Sequence, residues 1–158
     1  MSDGTRPGMA GPLAAYLATL LIGAGVTYGL MQAWWHFTGQ GFPLLIAFLI
    51  VPMMATISAA NSHAKKTGRV ASLAETLLFG LLATAILLAL PLAMWRMGWL
   101  EGLFMQIDPY AMRNGMETRP LTTLLVMTGA IGLLCNIAMF WAGTKGEARR
   151  KARLAAKE

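Results

Sequence analysis

Four apolar stretches, parted by polar segments, set what this chain can become. No charged residue falls between Leu13 and Trp35, between Pro43 and Ala60, or between Leu121 and Ala142, and from Leu73 to Trp95 the single charged residue is Glu75. A helix of about 20 apolar residues crosses the hydrocarbon of a bilayer. The sequence therefore predicts an all-α membrane protein with four transmembrane helices as two antiparallel hairpins. The spans are about 12–35, 43–60, 73–95 and 121–142, together making a transmembrane domain over 1–142, followed by a basic cytoplasmic tail, 143–158.

Composition agrees. Charged residues make up 13% of the 158 residues and hydrophobic ones 56%, with a mean hydropathy of +0.56, whereas a soluble domain is about 25% charged. The length leaves no room for a soluble catalytic domain beside four spans. The net charge of +6 sits in loops and tail, where it acts on topology and on anionic lipid head groups. No basic-aromatic surface or RNA-binding motif accompanies it, so nucleic acid is not an expected partner. The one cysteine, Cys135, lies inside the last run and reads as a small packing residue.

The first run is too long for the apolar core of a secretory signal, and its end, MQAWWHF, lacks a small-x-small cleavage site, so an uncleaved first span is expected. Pro12 suits the first helical position. Gly25 and Gly29 form a GxxxG, extended by Gly23 and Ala18, that marks a helix-packing face, with internal packing weighed ahead of a dimer contact. Trp34 and Trp35 form the aromatic anchor of an interface. The second run carries Pro52 near its middle, and Thr56 and Ser58 are candidates to satisfy the carbonyl that proline frees.

Asn61 to Glu75 is the basic interruption between the halves. Ser72-x-x-Glu75 has the form of a capping box, which competes with a reading of Glu75 as a coupling carboxylate. The helix-start reading is preferred, because a coupling group belongs nearer mid-membrane. In size and span count the chain resembles the small multidrug resistance transporters. That family carries a buried Glu in the first span, where this chain has only apolar and neutral residues.

The long connection from Arg96 to Pro120 reads as a short interfacial segment around Trp99, Leu100, Leu103, Phe104 and Ile107. Met94, Met97, Met105, Met112 and Met116 crowd this outer side, with His36 at the neighbouring loop, and their thioethers suit Cu(I), although methionine more often fills apolar gaps. In the last run Gly129 and Gly132 offer a small surface, and Asn136, with Thr128 and Thr84, suggests a polar seam between spans three and four. The tail is either a surface helix or an extension of span four.

Lys and Arg counts fix the expected orientation. Arg6, Lys65, Lys66, Arg69, Lys145, Arg149, Arg150, Lys151, Arg153 and Lys157 fall on one side, and Arg96, Arg113 and Arg119 on the other. Both termini are thus expected in the cytoplasm of a bacterial cell, with the protein in its inner membrane. His36 and His63 then lie on opposite sides and cannot share a haem. No catalytic triad, zinc spacing, phosphate loop or paired carboxylate site is present in the sequence. The expectation is a non-enzymatic accessory or assembly partner of a larger membrane system, with no cofactor and no bound metal. It would contact the lipid bilayer and either a second copy of itself or a larger membrane protein. A small transporter or channel is the rival, and copper handling on the periplasmic side the third reading.

Overall fold

The computed structural model describes residues 8–40, 44–96 and 118–156. These are almost wholly helical, with no strand among them: α1 (Ala10–Thr38), α2 (Leu44–Thr67), α3 (Leu73–Arg96) and α4 (Thr118–Ala155). Among the described residues three stretches are long and apolar enough to cross a membrane: α1, Leu73–Leu90 of α3 and Leu125–Ala155 of α4. The interfacial segment expected after Trp95, with Met97, Met105, Met112 and Met116, lies outside the described residues.

Local chemistry sets the helix ends. α1 starts at Ala10, with Met9 as an N-cap that makes no side-chain cap bond. Pro12 is thus the third helical residue rather than the first, a position where its missing N–H is still one the helix cannot bond. The C-terminus runs past Trp35 to Thr38 and closes on Gly39, whose φ of 64° puts it in the left-handed region and whose N–H bonds Trp35 O. α2 outlasts its apolar run in the same way. It continues to Thr67, where Gly68 (φ 69°) donates to Ala64 O at 3.0 Å. A residue with a Cβ is strained in that conformation, which is why glycine stands at this stop. α4 is a single helix of 38 residues, so the tail to Ala155 is an uninterrupted extension of the last apolar run.

The main contacts run α1–α2, α2–α4 and α3–α4, with α1 touching α3 lightly. Their registers give the directions. Along α1, Gly11 meets Lys66 and Gly23 meets Val51, so α1 and α2 run opposite to each other. Thr56 pairs with Asn136, Ala60 lies against Gly143, and Lys151 reaches Ala64, so α2 and α4 run the same way. Small residues make that approach close. Ala55, Ala59, Ala60 and Ala64 are buried along one stripe of α2, and a Cβ on Gly143 would come within 2.7 Å of the Ala60 Cβ. Between α3 and α4, a Cβ at Gly80 would collide with Ile137, Gly132 lies against Leu87 and Gly129 against Leu88.

The interior is small and partly polar: Tyr16, Leu20, Phe79, Ala83 and Phe140 are buried together with Thr56, His63, Thr76, Thr84, Asn136 and Thr144. The large aliphatic residues face outward instead, among them Leu21, Ile22 and Val26 on α1, Leu77 and Leu81 on α3, and Val126 and Leu134 on α4. A soluble bundle buries such residues against each other, so this inversion suits helices whose outer solvent is lipid.

Candidate functional site

Among the described residues two polar clusters occupy the interior, one at mid-helix and one at the α2–α3 junction, with an aromatic stack between them. The mid-helix cluster joins three helices. Thr56 Oγ1 donates to Asn136 Oδ1 at 2.6 Å, and Asn136 Nδ2 donates to Thr84 Oγ1 at 3.1 Å. Thr56 Oγ1 also lies 2.9 Å from Pro52 O. A hydroxyl has one hydrogen and serves one of these acceptors at a time. With the Asn136 amide turned over, Nδ2 donates to Thr56, Thr56 donates to Pro52 O, and Thr84 donates to Oδ1; both arrangements join the same three helices. Thr56 thus bonds the carbonyl of Pro52 itself, not the one at position 48 that the proline frees. The seam expected between spans three and four extends to α2 through Thr56. Beside Asn136 lies the Tyr16 hydroxyl, fully buried, which closes no hydrogen bond of full geometry with the described residues.

Tyr16 meets Phe79 edge-on at 5.8 Å, Phe79 stacks on Phe140 at 4.0 Å, and Phe140 meets the His63 ring at 5.6 Å. This column draws one ring from each helix. It separates the Asn136 seam from the second cluster.

At the junction, Arg69 clamps Glu75 in two-pronged fashion, Nη1 to Oε2 at 2.8 Å and Nη2 to Oε1 at 2.6 Å. Ser72 and Glu75 exchange the bonds of a capping box: Ser72 N–H donates to Glu75 Oε2 at 2.8 Å, and Glu75 N–H donates to Ser72 Oγ at 3.3 Å. Glu75 therefore starts α3 and pins the preceding turn at once. Its carboxylate raises the pKa of the Arg69 guanidinium above its ordinary value. Thr144 fastens the same turn to α4 by accepting from Ala71 N–H and donating to Trp141 O.

His63 lies three residues past the apolar run that ends at Ala60. It is 2% exposed, and its Nε2, 4.0 Å from Glu75 Oε2, has no hydrogen-bond partner among the described residues. Burial pushes its pKa down, Glu75 opposes that, and Arg69 adds to it.

The remaining basic residues form a rim around this end. Lys151 Nζ donates to Ala64 O and Lys65 O at 3.1 and 3.3 Å, a cation at the negative end of the α2 dipole. Lys145 sits 4.5 Å above the Trp141 ring. Arg150 pairs with Glu147 through two bonds of 2.8 Å. Lys65, Lys66, Arg149 and Arg153 are exposed. Gly25 and Gly29 face open space among the described residues, with nothing of these within 4 Å of a Cβ at either position. Their GxxxG is thus not a contact between described helices.

Among the described residues no group of three His, Cys, Asp or Glu is placed to hold a metal ion. The chain matches no protein family, no curated protein and no solved structure, so its chemistry has to be argued from its own residues. Sequence reasoning passed over the aromatic column and the alanine stripe. The stripe had a signal in Ala55-x-x-x-Ala59 and Ala60-x-x-x-Ala64, the small-xxx-small spacing of close helix pairs.

Proposed function

We propose that this chain is a four-span protein of a bacterial inner membrane. Its spans form two antiparallel hairpins with both termini in the cytoplasm, and it serves as a non-enzymatic accessory or assembly partner of a larger membrane system. The observation that carries the reading is the outward placement of Gly25 and Gly29. The glycines at positions 80, 129, 132 and 143 are occupied by internal contacts, while the GxxxG of α1 faces away from them beside exposed Ile22 and Val26. Close helix association in lipid runs through such faces. The apolar run of α2 makes the fourth span, and the basic residues of the α2–α3 turn and of the tail hold their ends in the cytoplasm.

A tagged full-length chain, extracted in mild detergent, should bring down a membrane partner, and Gly25→Leu with Gly29→Leu should lose it. Recovery of the chain alone would end this reading. An alkaline phosphatase fused after Glu158 should be inactive, and an active fusion would reverse the orientation.

The Thr56–Asn136–Thr84 seam, with the unpartnered Tyr16 hydroxyl beside it, favours a second reading: a small transporter or channel that hydrates this seam when it opens. Cysteines placed at Thr56, Thr84 and Asn136 would then react with aqueous thiol reagents. Uniform protection counts against a path.

A further inference from the structure

The junction cluster holds a feature that neither helix capping nor packing uses. His63 is almost completely buried, its ring rests on Phe140, and its Nε2 points at Glu75 Oε2 across 4.0 Å without closing a bond. A buried polar atom without a partner destabilises its surroundings. Leucine or phenylalanine at position 63 would fill an apolar site without that penalty. The imidazole faces the one carboxylate that pins the α2–α3 turn, and that carboxylate is already engaged by Arg69 and by the Ser72 N–H.

We propose that His63 is a proton-operated latch on the α2–α3 junction: protonated at Nε2, it takes Glu75 as its ion-pair partner and releases Arg69, and with it the turn through Val70, to the aqueous side. The geometry allows this with a small movement. A charge-assisted N–H···O bond needs about 2.7–2.9 Å, so the two groups close by roughly 1 Å. The proton comes from the cytoplasmic solvent, and only hydrogen bonds change hands. Arg69 is the partner able to leave, because its side chain is 48% exposed whereas that of Glu75 is 17% exposed. When Arg69 leaves, its bond to Val70 O goes with it.

Among the described residues each charge near His63 has a partner or a direction. Glu75 on α3 and Arg69 in the turn act on it directly, in opposite directions. On α4, Glu147 is held by Arg150, and Lys151 is engaged by the carbonyls of Ala64 and Lys65. Lys65 and Lys66 follow His63 on its own helix and are exposed. From α1, Tyr16 meets the aromatic column at the ring of Phe79. Burial holds the imidazole below its ordinary pKa, so the latch stays closed at neutral pH and opens under acid load, below about pH 6.5.

The test uses the full chain in lipid nanodiscs, with His36→Gln to leave one histidine and Cys135→Ser to leave one thiol, placed by Val70→Cys. Ring-nitrogen NMR follows His63, and a spin label at position 70 follows the turn, from about pH 8 to about pH 5. The label should gain mobility with the same midpoint as the His63 titration, and His63→Gln should abolish that gain. Glu75→Gln should lower the His63 midpoint, because it removes the carboxylate that favours the imidazolium, and leave the label mobile throughout. The latch is refuted if His63 titrates while the label does not respond, if the response survives His63→Gln, or if the midpoint ignores Glu75→Gln. Should a Glu75 variant fail to fold, the paired titrations with His63 and Glu75 intact still decide the matter.

Discussion

Thr56 and Asn136, 80 positions apart in the chain, meet through a hydrogen bond of 2.6 Å in the buried interior. Asn136 passes the link on to Thr84, so one amide ties α2, α3 and α4. Interhelical bonds in membrane proteins contribute on average about 0.6 kcal/mol and at most about 2 kcal/mol each. Asn136→Leu removes two of them and should lower stability by about 1–3 kcal/mol. Thr56→Val should cost less, because it breaks one side of the seam only. Unfolding in mixed micelles with rising SDS gives both numbers, and a larger loss for Thr56→Val would show that the seam is not centred on Asn136.

Glycines at different positions should respond in opposite ways. At Gly80 a side chain runs into Ile137, so Gly80→Leu should destabilise the fold by about 1–3 kcal/mol through overpacking. Gly25→Leu and Gly29→Leu meet open space and should change stability by no more than about 0.5 kcal/mol. The same SDS titration separates them. Loss of fold at Gly25 or Gly29 would mean that this face is already used inside the protein.

Within the aromatic column the hydroxyl and the rings should behave differently. Tyr16→Phe removes a buried oxygen that has no partner, and replacing an unpaired polar group by an apolar one of the same shape is neutral or stabilising. Phe79→Ala or Phe140→Ala empties the stack and should cost about 3–5 kcal/mol. If Tyr16→Phe proves as damaging as either, the hydroxyl has a role that the packing does not explain.

Acid should weaken the fold through His63. In the unfolded chain the imidazole takes its proton near pH 6.5, and in the folded chain burial defers that to lower pH. Between the two the unfolded state binds more protons, so stability falls as pH drops through that window and is complete above it. Thermal unfolding measured on both sides of pH 6.5 should show the slope, and His63→Phe should flatten it. An unchanged slope in the variant would place the acid sensitivity elsewhere.

What the sequence made legible was whatever is local. Ser72 and Glu75 announce the start of α3 by their spacing alone, and the apolar runs locate α1, α3 and α4. The helix ends were less visible because composition and backbone stop at different places. The apolar run of α2 ends at Ala60, yet backbone bonding carries the helix to Thr67, where Gly68 offers the left-handed stop. A search for Lys-Lys-Thr-Gly as a C-terminal signal, basic last turn followed by glycine, would have found it. The meeting of Tyr16, Phe79, Phe140 and His63 could not be read off. Each aromatic sits singly among aliphatic residues, and only the rotation of four helices about one another decides which rings face inward. For the same reason Asn136 suggested a seam, while Thr56 looked like a servant of the kink at Pro52.

α4 gives the protein a rod. Its 38 residues extend about 57 Å at 1.5 Å per residue, nearly twice the roughly 30 Å of a bilayer core. The surplus is the basic end that carries Arg149, Arg150 and Arg153. No loop interrupts the helix between those arginines and Asn136, so whatever grips the basic end holds a lever. Tilting that end moves the Asn136 seam in proportion, and the distance between the two becomes mechanical advantage rather than insulation.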